Sequence, residues 1–134
     1  MHLRVLIADD SAVVRVRLMA LLEELTGVEI VAATASLQET CGALKKSLPD
    51  LVILDLNMPD GNALEVIHQM REDQPAVGVV VLTNFPCPEY EQRALDLGAT
   101  AFFDKSHEFM KVRALVQQLA LENSKLNASA QQHA

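Results

Sequence analysis

The chain has 134 residues, 50% hydrophobic and 22% charged, a composition that suits one globular domain with a sizeable core and excludes disorder except at the ends. Eleven basic against eighteen acidic residues leave a net charge of −7, which opposes the phosphate-driven attraction behind most nucleic-acid binding. Cys41 and Cys87 fall in no metal-ligand or redox spacing and fit free thiols in a reducing cytosol.

The first apolar run, Leu3 to Ala8, predicts a strand. It is too short for the apolar core of a secretory leader and stops at Asp9 and Asp10, and no later stretch is long enough to span a bilayer. A cytoplasmic protein with neither a nucleic-acid nor a membrane partner is therefore expected. From Ser11, a plausible N-cap, to Leu25, helical spacing places Val14, Leu18, Leu21, Leu22 and Leu25 on one stripe. Glu29 to Ala33 reads as a second strand. Ser36-Leu37-Gln38-Glu39 has the form of a capping box and opens a second helix that should stop by Leu48, because Pro49 follows. Leu51 to Leu54 is a third strand, and Asn62 caps a third helix through Leu64, Val66, Ile67 and Met70 that ends at Gln74-Pro75.

Val77 to Leu82 predicts the fourth strand; Pro86 and Pro88 then leave a short fourth helix from about Glu89 to Leu97, ended by Gly98. Ala101 to Phe103 is the fifth strand. A fifth helix, beginning near His107 with Ser106 as its cap, carries Phe109, Val112, Val116 and Leu119 on its inner face. Residues 1–122 are thus read as one domain and 123–134 as a polar, disordered tail. Five alternations of strand and helix with short connections call for an α/β fold: a five-stranded parallel sheet, doubly wound, with helices on both faces.

Open sheets of this kind bind ligands beyond the carboxyl ends of their strands. Asp9 and Asp10 follow the first strand, Asp55 the third, Thr83 the fourth, and Asp104 with Lys105 the fifth. If the strand order is 2-1-3-4-5, the first and third strands are neighbours and three carboxylates would crowd one end, with a hydroxyl and an ammonium across from them. Like charges that close repel unless a cation intervenes, and an all-oxygen set of this kind suits Mg²⁺. Asp55, at the end of the buried run VILD, is then a candidate nucleophile toward a phosphoryl group, with Mg²⁺, Lys105 and Thr83 neutralising charge on its oxygens. Any one of these residues alone is weak evidence, since acids cap helices and Thr and Lys populate loops; their joint occurrence at strand ends carries the reading.

With IADDS, VILDLNMPDG, VVLTN and GATAFFDKS in this order, the span from Leu3 to about Leu121 resembles the receiver domain of two-component response regulators, chemotaxis regulators among them. The resemblance implies the flavodoxin-like order 2-1-3-4-5 and a phosphoacceptor switch in which Asp55 takes a phosphoryl group from a histidine kinase or histidine phosphotransfer protein. It further implies Mg²⁺ held by Asp10, Asp55 and the backbone carbonyl of Asn57, with Asp9 acting through water. Lys105 would pair with the phosphoryl group, Thr83 would swing toward it, and Phe102 would match the aromatic that moves inward on activation. Output would pass to an unknown downstream partner protein from the surface around the fourth helix, fifth strand and fifth helix.

Departures from the family pattern are Ser106 where proline often follows the lysine, and Asn84, Phe85 and Pro86 after the switch threonine, which are expected to narrow access to Asp55. No output module follows, so the chain reads as a stand-alone regulator or a piece of a longer one. An aspartyl-phosphate phosphatase is the rival reading, although Asn57 stands where such enzymes carry a second acid. A phosphorylation-independent binding module is weaker given the intact acidic set, and a nucleotide- or flavin-binding domain lacks its glycine-rich cradle. His2, His68, His107 and His133 have no ligand spacing and are assigned surface or capping roles. Leu115, Leu119 and Leu126 admit weak homodimerisation through the fifth helix, against the commoner use of such residues in core packing.

Overall fold

The computed structural model describes residues 2–132, with side chains described as far as Ser124. Five strands, β1 (Leu3–Ala8), β2 (Val28–Thr34), β3 (Leu51–Asp55), β4 (Gly78–Thr83) and β5 (Ala101–Asp104), alternate with five helices, α1 (Ala12–Glu23), α2 (Leu37–Ser47), α3 (Ala63–Asp73), α4 (Pro88–Asp96) and α5 (Phe109–Gln132). All strand pairs are parallel, and the sheet order is β2-β1-β3-β4-β5, in agreement with the sequence pattern.

The period of two along each strand divides the core into two layers. Leu6 and Ala8 of β1, Val52 and Leu54 of β3, and Val79 and Val81 of β4 face Leu44, Leu64, Ile67, Met70 and Ala94 from α2, α3 and α4. Val5 and Ile7, Leu51 and Ile53, and Val80 and Leu82 face Leu18 and Leu22 of α1 and Val112 and Val116 of α5. Every residue of β3 is buried, which explains its unbroken apolar run. Phe102 and Phe103 of β5 divide between the same two layers, each half-buried, Phe102 on the α2–α4 side and Phe103 on the α1/α5 side. Leu115 and Leu119 pack on the α1/α5-side core, whereas the side chain of Leu126 lies outside the described residues.

The helix starts follow their capping signals. Ser11 accepts from the Val14 amide, Ser36 from Glu39, and Asn62 from Leu64. α4 begins at Pro88, one residue earlier than expected, because proline at the first helical position gives up no helical hydrogen bond. The start of α5 differs more. Asp104 accepts the Ser106 amide at 2.8 Å, so Ser106 sits inside a turn instead of capping the helix, which begins only at Phe109. Residues 123–132 of the segment read as a 123–134 tail are helical as the end of α5, which contains neither proline nor glycine there. His133 lies outside the described residues. Among those described, no helix is long and apolar enough to cross a membrane, and Cys41 and Cys87 are free thiols.

One tertiary contact ties the β3–α3 loop to α2. The Asp60 carboxylate accepts the backbone N–H groups of Leu37 (2.8 Å) and Gln38 (3.0 Å) at the helix N-terminus, and these bonds hold its carboxyl below the usual range. A lowered carboxyl pKa contributes stability above the unfolded-state value and loses it on acidification. Asp60→Ala is therefore expected to lower the thermal midpoint near neutral pH, and the gap to the parent should close in acid; circular dichroism melts at both conditions check it.

Candidate functional site

β1 and β3 are neighbours, so the chain leaves both at the same end of the sheet, and Asp9 and Asp55 arrive there with 2% exposure each. Burying two carboxylates demands compensation. Lys105, just past β5, supplies it: its Nζ lies 2.6 Å from Asp9 Oδ2 and 3.2 Å from Asp55 Oδ2. Its backbone N–H is anchored on the Thr83 carbonyl at 2.8 Å, which fixes where the side chain sets out. Asp9 Oδ1 accepts the Ser11 amide at 2.9 Å, and Asp55 Oδ1 accepts the Asn57 amide at 3.0 Å. Burial pushes the Asp55 carboxyl above its ordinary value and the neighbouring Asp9 charge adds to the rise, while the Asn57 amide and Lys105 pull it down.

Asp10 is exposed, and one carboxylate oxygen from each of Asp9, Asp10 and Asp55 lies within 4.8 Å of the others. Three carboxylates against one ammonium leave two negative charges uncompensated, and the donors are all oxygen. A hard divalent cation fits both the charge and the ligand chemistry.

Thr83 is almost fully buried at the end of β4, and its Oγ1 accepts from Asn57 Nδ2 at 3.0 Å and from the Phe85 amide at 3.2 Å. The fold thus gathers Asp9, Asp10, Asp55, Asn57, Thr83 and Lys105 at one end of the sheet. Phe102 lies on β5 opposite Val81, packed against the core on the α2–α4 side. Asn84 is exposed, and so is Phe85, at 72%.

Two contributors escape sequence reasoning. The resemblance to receiver domains implies only a carbonyl role for Asn57, yet its side chain bridges to Thr83. Arg15 donates to the Asp9 backbone carbonyl at 2.8 Å. The available signal is a basic residue near the start of α1, where the helix dipole disfavours it unless acids draw it in.

The family model for the response regulator receiver domain matches residues 5–117. The chain belongs to this family. Among relatives of this receiver domain, the response regulator protein VraR of Staphylococcus aureus is 32% identical over 106 residues, which is 79% of this chain and 51% of that protein. The chain spans about half the length of the curated relatives it matches. Among solved structures, the isolated receiver domain of RcsB from Salmonella enterica serovar Typhimurium, determined with the phosphomimetic BeF3−, is 26% identical with a TM-score of 0.74 over 79% of each chain. A CheY-like receiver domain protein from Methanospirillum hungatei JF-1 aligns over 93% of this chain and 98% of its own with a TM-score of 0.82; at 22% identity that likeness speaks for the fold alone. Receiver domains are signalling switches of two-component systems, and these relatives are regulators.

Proposed function

We propose that Asp55 is the phosphoacceptor of a Mg²⁺-dependent switch, charged by a histidine kinase or histidine phosphotransfer protein. The observation that carries this reading is the Lys105 ammonium lying between two buried carboxylates at strand ends, beside the exposed acid of Asp10. Asp10, Asp55 and the Asn57 carbonyl would hold the ion directly. Asp9, as the resemblance to receiver domains implies, would act through water. When bound, Mg²⁺ supplies charge neutralisation on the phosphoryl oxygens.

An Asp55 carboxylate oxygen attacks phosphorus in line, the P–O bond to the carboxylate forms, and the P–N bond of the donor phosphohistidine breaks with its electron pair leaving on the imidazole. Lys105 follows the charge, exchanging a carboxylate partner for a phosphoryl oxygen. Thr83 turns its hydroxyl to the new group and Phe102 moves inward, which changes the α4–β5–α5 surface offered to a downstream protein. Incubation with Mg²⁺ and acetyl phosphate should add one phosphoryl group by intact mass, and EDTA should prevent it; no gain with Mg²⁺ present sinks the proposal. Multiple-turnover hydrolysis of a phosphomonoester would favour a phosphatase instead.

Asn84 immediately follows the switch threonine, and with Phe85 and Pro86 it would narrow the approach to Asp55. Asn84→Ala is expected to speed loss of the phosphoryl group several-fold, measured by the decay of the phosphorylated mass after donor removal. An unchanged rate means this segment does not restrict water.

A further inference from the structure

We propose that the side chain of Asn57 is a positioning residue for the switch, a latch that holds the Thr83 hydroxyl and, through it, the β4–α4 segment in the unphosphorylated arrangement. The inference rests on the assignment of Asp55 as phosphoacceptor. Asn57 touches both halves of the site with different groups. Its backbone N–H donates to Asp55 Oδ1 at 3.0 Å, and its side-chain Nδ2 donates to Thr83 Oγ1 at 3.0 Å. The second acceptor direction of Thr83 Oγ1 is taken by the Phe85 amide at 3.2 Å. Both bonds use Oγ1 as acceptor, so they leave its O–H free to donate and act by fixing where the oxygen stands.

For Thr83 to swing toward a phosphoryl group on Asp55 and donate its O–H there, Oγ1 has to leave the Asn57 amide, and the Phe85 amide must follow or let go. Burial makes this exchange one-sided. Thr83 is 1% exposed and does not tolerate an unpaired hydroxyl, whereas Asn57 is exposed and hands its amide to water without loss. Release is thus cheap on the Asn57 side, and on the Thr83 side the lost accepted bond is offset only when a phosphoryl oxygen is in place to receive its O–H. A cavity of about 240 Å³ lined by Asn57, Thr83, Phe85 and Tyr90 lies beside the bond and gives the amide and the loop space to move. Phe85 and Tyr90, both well exposed, sit on the same segment, so release reaches the surface of α4 directly.

A ligand that selects the unlatched state binds more tightly once the latch is gone, by the factor the bond contributes. Beryllofluoride with Mg²⁺ is the probe. Asn57→Ala keeps the backbone N–H and carbonyl, and is expected to bind it about threefold more tightly, the factor appropriate to one partly solvated hydrogen bond. In a Thr83→Val background the same substitution should change affinity by nothing measurable, because the latch acts through the hydroxyl. In the metal-free protein, the Phe85 amide should exchange faster in Asn57→Ala than in wild type, with exchange in β1 and β3 unchanged. Equal or weaker beryllofluoride binding by Asn57→Ala, or an equal gain in the Thr83→Val background, overturns the latch. If beryllofluoride binds neither protein, the phosphoacceptor reading is what fails, and the Phe85 exchange rate alone then decides whether Asn57 restrains the loop.

Discussion

Asp55→Asn is expected to abolish the phosphoryl mass gain and, in EDTA, to make the protein more stable than wild type. The two effects share one cause. Asp55 is buried beside Asp9, and a single lysine serves both acids. Removing one charge from this set leaves a matched pair, Asp9 with Lys105, and the amide oxygen of the new asparagine can still accept the Asn57 N–H. Relieving a poorly compensated buried charge is worth about 1 kcal/mol or more, which raises the midpoint of a chain this size by roughly 4 °C. The pH dependence gives the sharper check. The Asp55 carboxyl titrates above its ordinary value, chiefly because of burial, so the folded state holds its proton more tightly than the unfolded state does. That contribution is complete below the unfolded value of 3.8 and is lost as pH rises through the folded value. Asp60, Asp104 and Glu108 have lowered pKa values and act in the opposite sense, losing their contribution in acid. They are present in both proteins, so the difference between the wild-type and Asp55→Asn melting curves isolates the site. The advantage of the variant should grow from acid toward neutrality. A variant no more stable than wild type at neutral pH without metal would mean that Lys105 and the Asn57 amide already compensate the charge in full.

The same buried strand explains why so much of the site is legible in the amino-acid sequence. An apolar run closed by a carboxylate is conspicuous, and Asp9, Asp10, Asp55, Thr83 and Lys105 each stand at or just behind the end of such a run, where parallel strands of one sheet deliver them to one end. The period of two and the period of 3.6 separate strands from helices well enough to give the order of elements, because the core on each face of the sheet is built from those periodicities. Contacts between side chains distant in sequence leave weaker marks. Nothing in the local pattern at Asn57 distinguishes a carbonyl ligand from an amide donor reaching Thr83, and Asp60 reads as a turn residue although it caps α2 across the fold. Ser106 departs from its expected capping role because helix caps and Asx turns draw on the same residue types; what decides here is Asp104, whose carboxylate takes the Ser106 amide first. At the end of α5, polarity alone does not separate a tail from a helix, and Asn, Ser, Lys, Leu, Ala and Gln without proline or glycine extend a helix already nucleated on the core.

Lys105→Met is expected to be the most damaging single change at the site for the metal-free protein. Its side chain is 6% exposed and its ammonium is the near partner of both Asp9 and Asp55, so the variant keeps most of the volume and removes the only cation in contact with either carboxylate among the described residues. Stripping a buried charge of its counter-ion is destabilising by about 3 kcal/mol, roughly 10 °C in the midpoint. Loss of phosphorylation alone would not reveal why, since a displaced loop and a missing charge both produce it. Stability against pH and Mg²⁺ does. If charge is the cause, the deficit is largest at neutral pH, shrinks in acid as Asp55 takes up a proton, and is partly recovered by millimolar Mg²⁺, which binds the folded carboxylate cluster and not the unfolded chain. Adding Asp55→Asn to Lys105→Met should recover part of the loss even in EDTA, because one acid instead of two then lacks its partner. A deficit that is the same in acid, at neutrality and with Mg²⁺ would identify the aliphatic stem of Lys105 as its contribution to the fold, and would leave the pairing of its ammonium with the two carboxylates without energetic consequence.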